Sequence, residues 1–496
     1  MTAPAPDRAP RRTVSGAVRA SGIATVAVRL VGLAALLVVA GEIGPRALGV
    51  VAAAMVVVEI LAVFAEGGLV TALVQADAVD RRQRATLYLL DWVLGAAAFA
   101  AATALAAPLA ALLAMPELRW AVPVAALSIL LLAPARHVGA MLQREMDFAA
   151  YARPLVAQEL VRAGLSVGLV LAGWGVAGVV AGHVAGAAAL SAIRLGQGRR
   201  RHLLPGFALA FGATRPILAF GAWRAATVLV RSLGQRADQI VVGAAIGAVP
   251  LGHYRVAQQF TSGVLVNVQA LTAQVTFAHV ARVQSDPATV RAAYLGMTAA
   301  TALVAVPVTV ALALAGPGLA GGLLGPEWDA AGALMPPLAI AALARMHESG
   351  AMPVLNGLGH ARALFAWRLA ASAVLLATMV LSAREGDAMR LAVALAVAQT
   401  ALSVAFYWTV QRPAMGAVGA AYLRALRPAA LATAAALLPW AAVAAAGGGT
   451  GARLAALAAG GPVLVAMAAW LDPLTVGRVA GVVSPRLGAR LRGGAP

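Results

Sequence analysis

Apolar runs of about 20 residues recur from one end of this chain to the other, each long enough to cross the hydrocarbon core of a bilayer. In lipid, every backbone N–H and C=O has to be satisfied by the chain itself, which leaves only helices and closed barrels. Barrel strands alternate apolar and polar residues, and these runs do not. The reading is therefore an all-α, polytopic membrane protein. Composition agrees: 61% of the 496 residues are hydrophobic and 11% charged, where a soluble domain is roughly half apolar and a quarter charged.

The pattern predicts about fourteen transmembrane helices, near 15–40, 47–75, 87–114, 119–144, 151–173, 175–197, 215–244, 249–281, 289–316, 331–356, 362–383, 388–411, 427–446 and 452–470. Gly- and Pro-rich bends such as "GEIGPRALG", "AMPELRW" and "GPGLAGGLLGPEWDAAG" separate them. No gap holds a soluble domain. The first apolar run is too long for a cleaved signal, so it reads as a retained span.

All 38 basic residues are arginine, cysteine is absent, and the net charge is +19. Without cysteine there is no disulfide or thiol chemistry. The arginines fix orientation rather than mark a nucleic-acid partner. With the N-terminus inside, the outer bends hold only Arg46, Arg119, Arg384, Arg390 and Arg453, while the cytoplasmic segments hold several times more. The expectation is a multi-pass protein of the bacterial cytoplasmic membrane with both termini cytoplasmic.

Two stretches echo each other. "GAVRA" at Gly16–Ala20 resembles "GAWRA" at Gly221–Ala225, and "IGPRALG" at Ile43–Gly49 resembles "IGAVPLG" at Ile246–Gly252. "ARHVGAM" from Ala135 resembles "ARMHESGAM" from Ala344. All three matches lie in the same order at nearly one offset. They predict a disordered cytoplasmic tail (1–14), an N-lobe of helices 1–6 (15–197), a cytoplasmic linker (198–214), a C-lobe of helices 7–12 (215–411), helices 13–14 (427–470) and a basic cytoplasmic tail (471–496). Six spans per copy make the two repeats parallel, two lobes suited to alternating access.

An arginine at the bilayer centre costs roughly 2.5–3.5 kcal/mol on insertion scales, so it faces protein or water and has a task. Span 7 carries Arg224, Arg231, Arg236 and Asp238, with Arg231 near mid-depth. Span 8 carries a polar stripe of Tyr254, Gln258, Thr261, Gln269, Thr272 and His279, flanked by Arg255. Arg29 on span 1 lies at a depth similar to Glu59 on span 2, which also carries Glu66. Span 10 carries Arg345, His347 and Glu348, and Glu159 and Arg162 on span 5 have the spacing of a local pair. Arginine is the usual bidentate partner of phosphate. The predicted cavity set is Arg29, Arg231, Arg255, Arg345, Tyr254 and Gln258, with Glu59, Glu66, Asp238 and Glu348 as ion-coupling carboxylates. No phosphate-binding loop, zinc motif or sizeable extramembrane catalytic segment is present, so an enzyme, a resident cofactor or a metal is not expected.

"LGVVAAAMVVVEILAVFAEGGLVTALVQ" (Leu48–Gln75), "AMLQREMDFAAYARPLVAQEL" (Ala140–Leu160), "RADQIVVGAAIGAVPLGHYRVAQQF" (Arg236–Phe260) and "LLGPEWDAAGALMPPLAI" (Leu323–Ile340) resemble, in order, the WzxC-like polysaccharide-repeat flippases of the multidrug/oligosaccharidyl-lipid/polysaccharide exporter superfamily. The resemblance implies two six-helix lobes that flip an undecaprenyl-pyrophosphate-linked oligosaccharide from the inner to the outer leaflet. It implies arginines, here Arg29, Arg231, Arg255 and Arg345, that face the pyrophosphate. It implies coupling to H+ or Na+, and partners among membrane lipids, polymerases and other glycan-assembly proteins. The alternatives are a cation-coupled multidrug or metabolite exporter or a lipid II flippase of the same fold. A scaffold or polymerase of the same pathway is the reading from another class.

Overall fold

The computed structural model describes residues 11–66, 68–76, 79–206, 208–261 and 286–472, without the side chains of 11–27, 29–30, a few positions of the seventh helix, 450 and 454. The described residues are helical and contain no strand. They form two compact units, Met1–Gly252 and His253–Pro496.

The first unit begins with α1 (Arg11–Glu66), two helices joined at Gly44, whose φ of 73° and following Pro45 break the hydrogen-bond ladder. After α2 (Leu69–Gln75), α3 (Arg81–Leu112) starts at a capping box. Asp80 Oδ1 accepts from the Gln83 N–H at 2.7 Å, and Gln83 Oε1 accepts from the Asp80 N–H at 2.9 Å. α4 (Leu118–Arg144), α5 (Phe148–Leu171) and α6 (Gly175–Arg200) follow, and Asp147 caps α5 through the Ala150 N–H at 2.9 Å. α3 packs on α4, and α4 and α5 on α6. Gly178, Gly182 and Gly186 recur every four residues on α6, and Cβ atoms there would fall 3.0, 2.1 and 2.9 Å from α5 atoms. Small residues at that spacing let helices touch backbone to backbone, the main source of cohesion where lipid is as apolar as the protein.

α7 (Phe211–Ala245) runs beside α1 and α2. The two I-G-x-x-x-L-G bends meet reciprocally. A Cβ on Gly49 would lie 1.8 Å from the Ala248 carbonyl oxygen, and a Cβ on Gly252 would lie 2.0 Å from the Pro45 carbonyl oxygen. Pro45 and Ala248 are the third residues of their motifs, and Gly49 and Gly252 the seventh. At the far end of α2's approach, a Cβ on Gly68 would lie 2.1 Å from the Gly221 carbonyl oxygen. These contacts explain a difference from the expected layout. The boundary of the compact units falls after Gly252, in helix α8 (248–261 within the described residues), rather than in the 198–214 linker.

The second unit holds α9 (Pro287–Leu324), α10 (Asp329–Gly357), α11 (Ala361–Ala383) and α12 (Ala388–Phe406). α12 continues through a π turn, Tyr407–Gln411, into α13 (Arg412–Met415). α14 (Gly419–Ala436), α15 (Leu438–Ala445) and α16 (Thr450–Leu471) end the described chain. α9 packs on α10, and α10 and α11 on α12, the pairing order of α3 to α6 in the first unit.

Among the described residues, ten helical segments are long and apolar enough to cross a membrane. Two helices of comparable length, α7 with 35 residues and α10 with 29, are not among them. α7 carries Arg224, Arg231, Arg236 and Asp238, and α10 carries Arg345, His347 and Glu348. Several expected boundaries move. The span expected over 47–75 breaks at Gly68, which has a φ of 67°. The span expected to end at 316 stays helical to Leu324, because Gly316 and Gly332 sit at the α9–α10 crossing instead of in a turn. The span expected from 427 begins at Gly419.

Candidate functional site

Arg236 of α7 and Glu59 of α1 form an ion pair, with side chains 28% and 38% exposed. Each lies about 15 Å along its helix from the interlocked bends, taking roughly 1.5 Å of rise per residue. A charged pair at that depth and exposure is costly against lipid and economical against water or an anionic ligand. The expected neighbour of Glu59 was Arg29, whose side chain lies outside the described residues. The partner is Arg236, which the sequence places near the end of the span.

The other predicted residues occupy varied surroundings. Arg231 is exposed on α7, and Asp238 is buried, its Oδ1 accepting from the Gln239 N–H at 2.8 Å. Tyr254 is buried, Arg255 and Gln258 are half-buried, and all three engage partners. Thr261, assigned to the polar stripe, spends its hydroxyl on the Ala257 carbonyl at 2.9 Å, within its own helix. Gln269, Thr272 and His279 lie outside the described residues. Glu66 is half-buried at the end of α1. Glu159 and Arg162 close on each other, as their spacing predicts.

In the second unit the charges of α10 are drawn into a polar network. Gln399 Nε2 of α12 donates to Glu348 Oε1 at 3.0 Å, and Glu348 is buried. Arg345 is exposed one turn earlier, and it and Arg368 act electrostatically on Glu348. His347 sits between Ser403 Oγ at 2.9 Å and Gln411 Oε1 at 2.7 Å. Gln411 is the last residue of the π turn. The imidazole packs edge-on to Phe406 and Tyr422 at 6.0 and 4.8 Å between centroids.

Two features lie beyond the predicted set. One is an ion pair inside the first unit, Asp91 with Arg136, Oδ1 to Nε 3.7 Å. Arg84, Tyr88 and Asp91 are spaced four and three apart, which marks one polar face of α3 but not the partner on α4. The other is an apolar cleft of about 420 Å³ between α9, α14 and α16, lined by Leu303, Pro307, Ala436, Leu457, Gly461 and Val465 among others. It is suited to an aliphatic chain.

No group of three or more His, Asp or Glu side chains is placed to hold a metal among the described residues. The polar groups can instead hold an anion and donate to hydroxyls.

The model of a family described as polysaccharide biosynthesis protein matches residues 38–333. The chain is 26% identical over 303 residues to the teichuronic acid biosynthesis protein TuaB of Bacillus subtilis (strain 168), covering 60% of this chain and 62% of that one. The chain thus matches less than two thirds of that relative's length. It is 20% identical over 417 residues to the lipopolysaccharide biosynthesis protein WzxC of Escherichia coli (strain K12), covering 84% of each. Among solved structures, the inward closed conformation of the lipid II flippase MurJ superposes with a TM-score of 0.72 at 11% identity, covering 91% of this chain and 98% of that one. An inward-facing multidrug resistance MATE transporter of the MOP superfamily gives 0.62 at 14% identity, covering 81% and 99%. At these identities the likeness shows the fold alone.

Proposed function

The chain belongs to the polysaccharide biosynthesis protein family, and from that premise we propose that it flips an undecaprenyl-pyrophosphate-linked oligosaccharide from the inner to the outer leaflet of the bacterial cytoplasmic membrane, for surface or exopolysaccharide assembly. The observation that carries the reading is the partly exposed guanidinium of Arg236, held between two helices by Glu59. A planar guanidinium in a low-dielectric setting is the group that binds a pyrophosphate bidentately. Arg29, Arg231, Arg255 and Arg345 extend the same role, and Tyr254 and Gln258 suit sugar hydroxyls. The apolar cleft of the second unit fits the polyprenyl chain.

Alternating access is supported by the reciprocal contact of the two repeat bends. Each supplies the glycine that admits the other's carbonyl, so one motif closes against its own copy about a local two-fold axis. Such a contact closes or opens as a unit. The repeated pairing order of α3 to α6 and α9 to α12 supports the same two-lobe plan. Glycan-assembly enzymes such as a polymerase are the expected partners downstream.

The experiment is flipping by purified protein in vesicles holding a labelled undecaprenyl-pyrophosphate oligosaccharide, read by an impermeant oxidant of the sugar. Wild type is expected to expose the inner pool, and Arg236→Ala to do so about tenfold more slowly, the loss of about 1.4 kcal/mol of charge-assisted hydrogen bonding. Equal rates in protein-free and wild-type vesicles overturn the reading. Faster flipping of an undecaprenyl-pyrophosphate muropeptide than of the oligosaccharide moves it to a lipid II flippase.

A further inference from the structure

Asp91 is 2% exposed and lies about 16 Å along α3 from its N-cap, from a rise of roughly 1.5 Å per residue. Around it sits a concentration of buried polar atoms without a hydrogen bond. They are Asp91 Oδ1, Arg136 Nε and Nη2, Arg84 Nε and both ring nitrogens of His137, a residue only 1% exposed. Buried polar atoms in native proteins are nearly always satisfied, so a cluster left open asks what completes it. A buried ion pair is weak evidence for stability in its own right, and intramembrane ionisable groups mark ion or proton paths.

From this placement we infer that Asp91, with Arg136 as counter-ion and His137 as second acceptor, is a proton-binding site inside the first unit. The proposal rests on the transport reading for its purpose, and on the cluster's geometry for its existence.

The charged and titratable groups facing Asp91 can be named. Arg84 and Tyr88 share its face of α3, Arg136 and His137 come from α4, and Glu66 from the end of α1. α2 carries no titratable side chain, and α7 contributes no charge to it among the described residues. The set holds two carboxylates, two guanidiniums, one imidazole and the Tyr88 phenol. It is balanced, and one added proton makes it cationic. A metal ion is the wrong ligand, because no three carboxylate or imidazole groups converge among the described residues. An anion would meet two carboxylates. A proton meets an open carboxylate oxygen and an imidazole with both nitrogens open.

The route is a polar stripe. Arg84 and Tyr88 are half-buried and Asp91 is buried, so exposure falls along one face of α3 toward the pair. The His137 ring packs edge-on to Tyr88 at 5.4 Å. Beyond Asp91 the stripe ends at Gly95, where a Cβ would lie 3.2 Å from Ala133 Cβ and 3.7 Å from Arg136 Nη2. Protonation forms one O–H bond on Asp91 Oδ1 from a proton of water and breaks no bond in the protein. It removes the charge opposing Arg136 and leaves Glu66 as the remaining carboxylate. Glu66 ends α1, the helix that also carries Glu59, the partner of Arg236 on α7.

The test uses full-length protein in lipid discs and in vesicles. An infrared difference spectrum between acid and alkaline buffer should contain a protonated-carboxyl band that Asp91→Asn removes and Asp91→Glu restores at a shifted frequency. In vesicles, an imposed pH gradient should change the wild-type flipping rate severalfold. Asp91→Asn should flip at a rate that no longer responds to the gradient. A band unchanged in Asp91→Asn, or a full gradient response in that variant, overturns the proton site. If wild type flips no oligosaccharide at all, the transport reading fails, while the infrared band still decides the site. Should Asp91→Asn not fold, His137→Gln carries the test. It should keep the Asp91 band and weaken the gradient response, and an unchanged response overturns the role given to His137.

Discussion

Arg236 on α7 closes on the carboxylate of Glu59 on α1, so this ion pair joins residues 177 positions apart in the chain. Removing one partner of such a pair leaves the other charge uncompensated, which costs more than removing both. Arg236→Ala should therefore lower export about tenfold. The double variant Arg236→Ala with Glu59→Ala should accumulate at closer to wild-type levels than the single one. Export by the double variant stays low if Arg236 meets the substrate, and recovers if the pair is only structural. Quantitative immunoblotting alongside the export assay separates the two effects.

The interlocked bends make a second prediction. A side chain at Gly49 or Gly252 meets a carbonyl oxygen at 1.8 or 2.0 Å, and backbone cannot give way by that much. Gly49→Val and Gly252→Val should hold the bends apart. Because the chain has no native cysteine, a single cysteine at Ala248 reports this directly. Its labelling by an impermeant maleimide should rise severalfold in the Gly49→Val background. Gly44→Val tests backbone strain at a positive φ without the clash, since nothing lies within 4 Å of its Cβ position.

Much of the helical layout was legible in the sequence because lipid leaves a buried backbone so few choices. α3 to α7 and α10 to α12 lie within a few residues of the apolar runs, apart from the six extra residues at the start of α3. The same constraint explains the misreading of 317–324. Gly and Pro punctuate soluble chains, but here Gly316 and Gly332 bring α9 and α10 together while the helix continues. Charges were harder. Spacing along one helix found Glu159 with Arg162. It could not find Glu59 with Arg236, or Asp91 with Arg136, because those partners meet only through tertiary packing. Gln411, the partner of His347, was invisible for a third reason: it ends a π turn, which no periodicity announces.

The cleft between α9, α14 and α16 gives a prediction of its own. Gly461 lines it, and a Cβ there would have nothing within 4 Å. Gly461→Trp should fill the cleft without disturbing the fold, leave protein levels unchanged and reduce export. Thermal melting of the purified variant checks the first point. Normal export at normal abundance would show that the cleft holds no part of the substrate.

Acid should weaken the tie between α5 and the segment after α6. Asp147 is held below the usual carboxylate range first by the Ala150 N–H it caps and then by Arg201, 2.8 Å away. A depressed carboxylate contributes stability above its unfolded pKa, about 3.9, and loses that contribution as pH falls through the lower folded value. The group is largely solvent-screened, so the contribution is about 0.5–1 kcal/mol. The melting temperature of Asp147→Ala should be lower than wild type near neutral pH, and the gap should narrow below about pH 4.

The most direct measurement of the central claim is the leaflet location of the lipid-linked glycan in a deletion strain, read on intact spheroplasts with an impermeant periodate reagent. The flippase account predicts that the glycan accumulates protected on the inner face, and that the wild-type gene, but not Arg236→Ala, restores its exposure. Glycan already exposed and unpolymerised in the deletion strain would contradict it and place the protein after the flipping step.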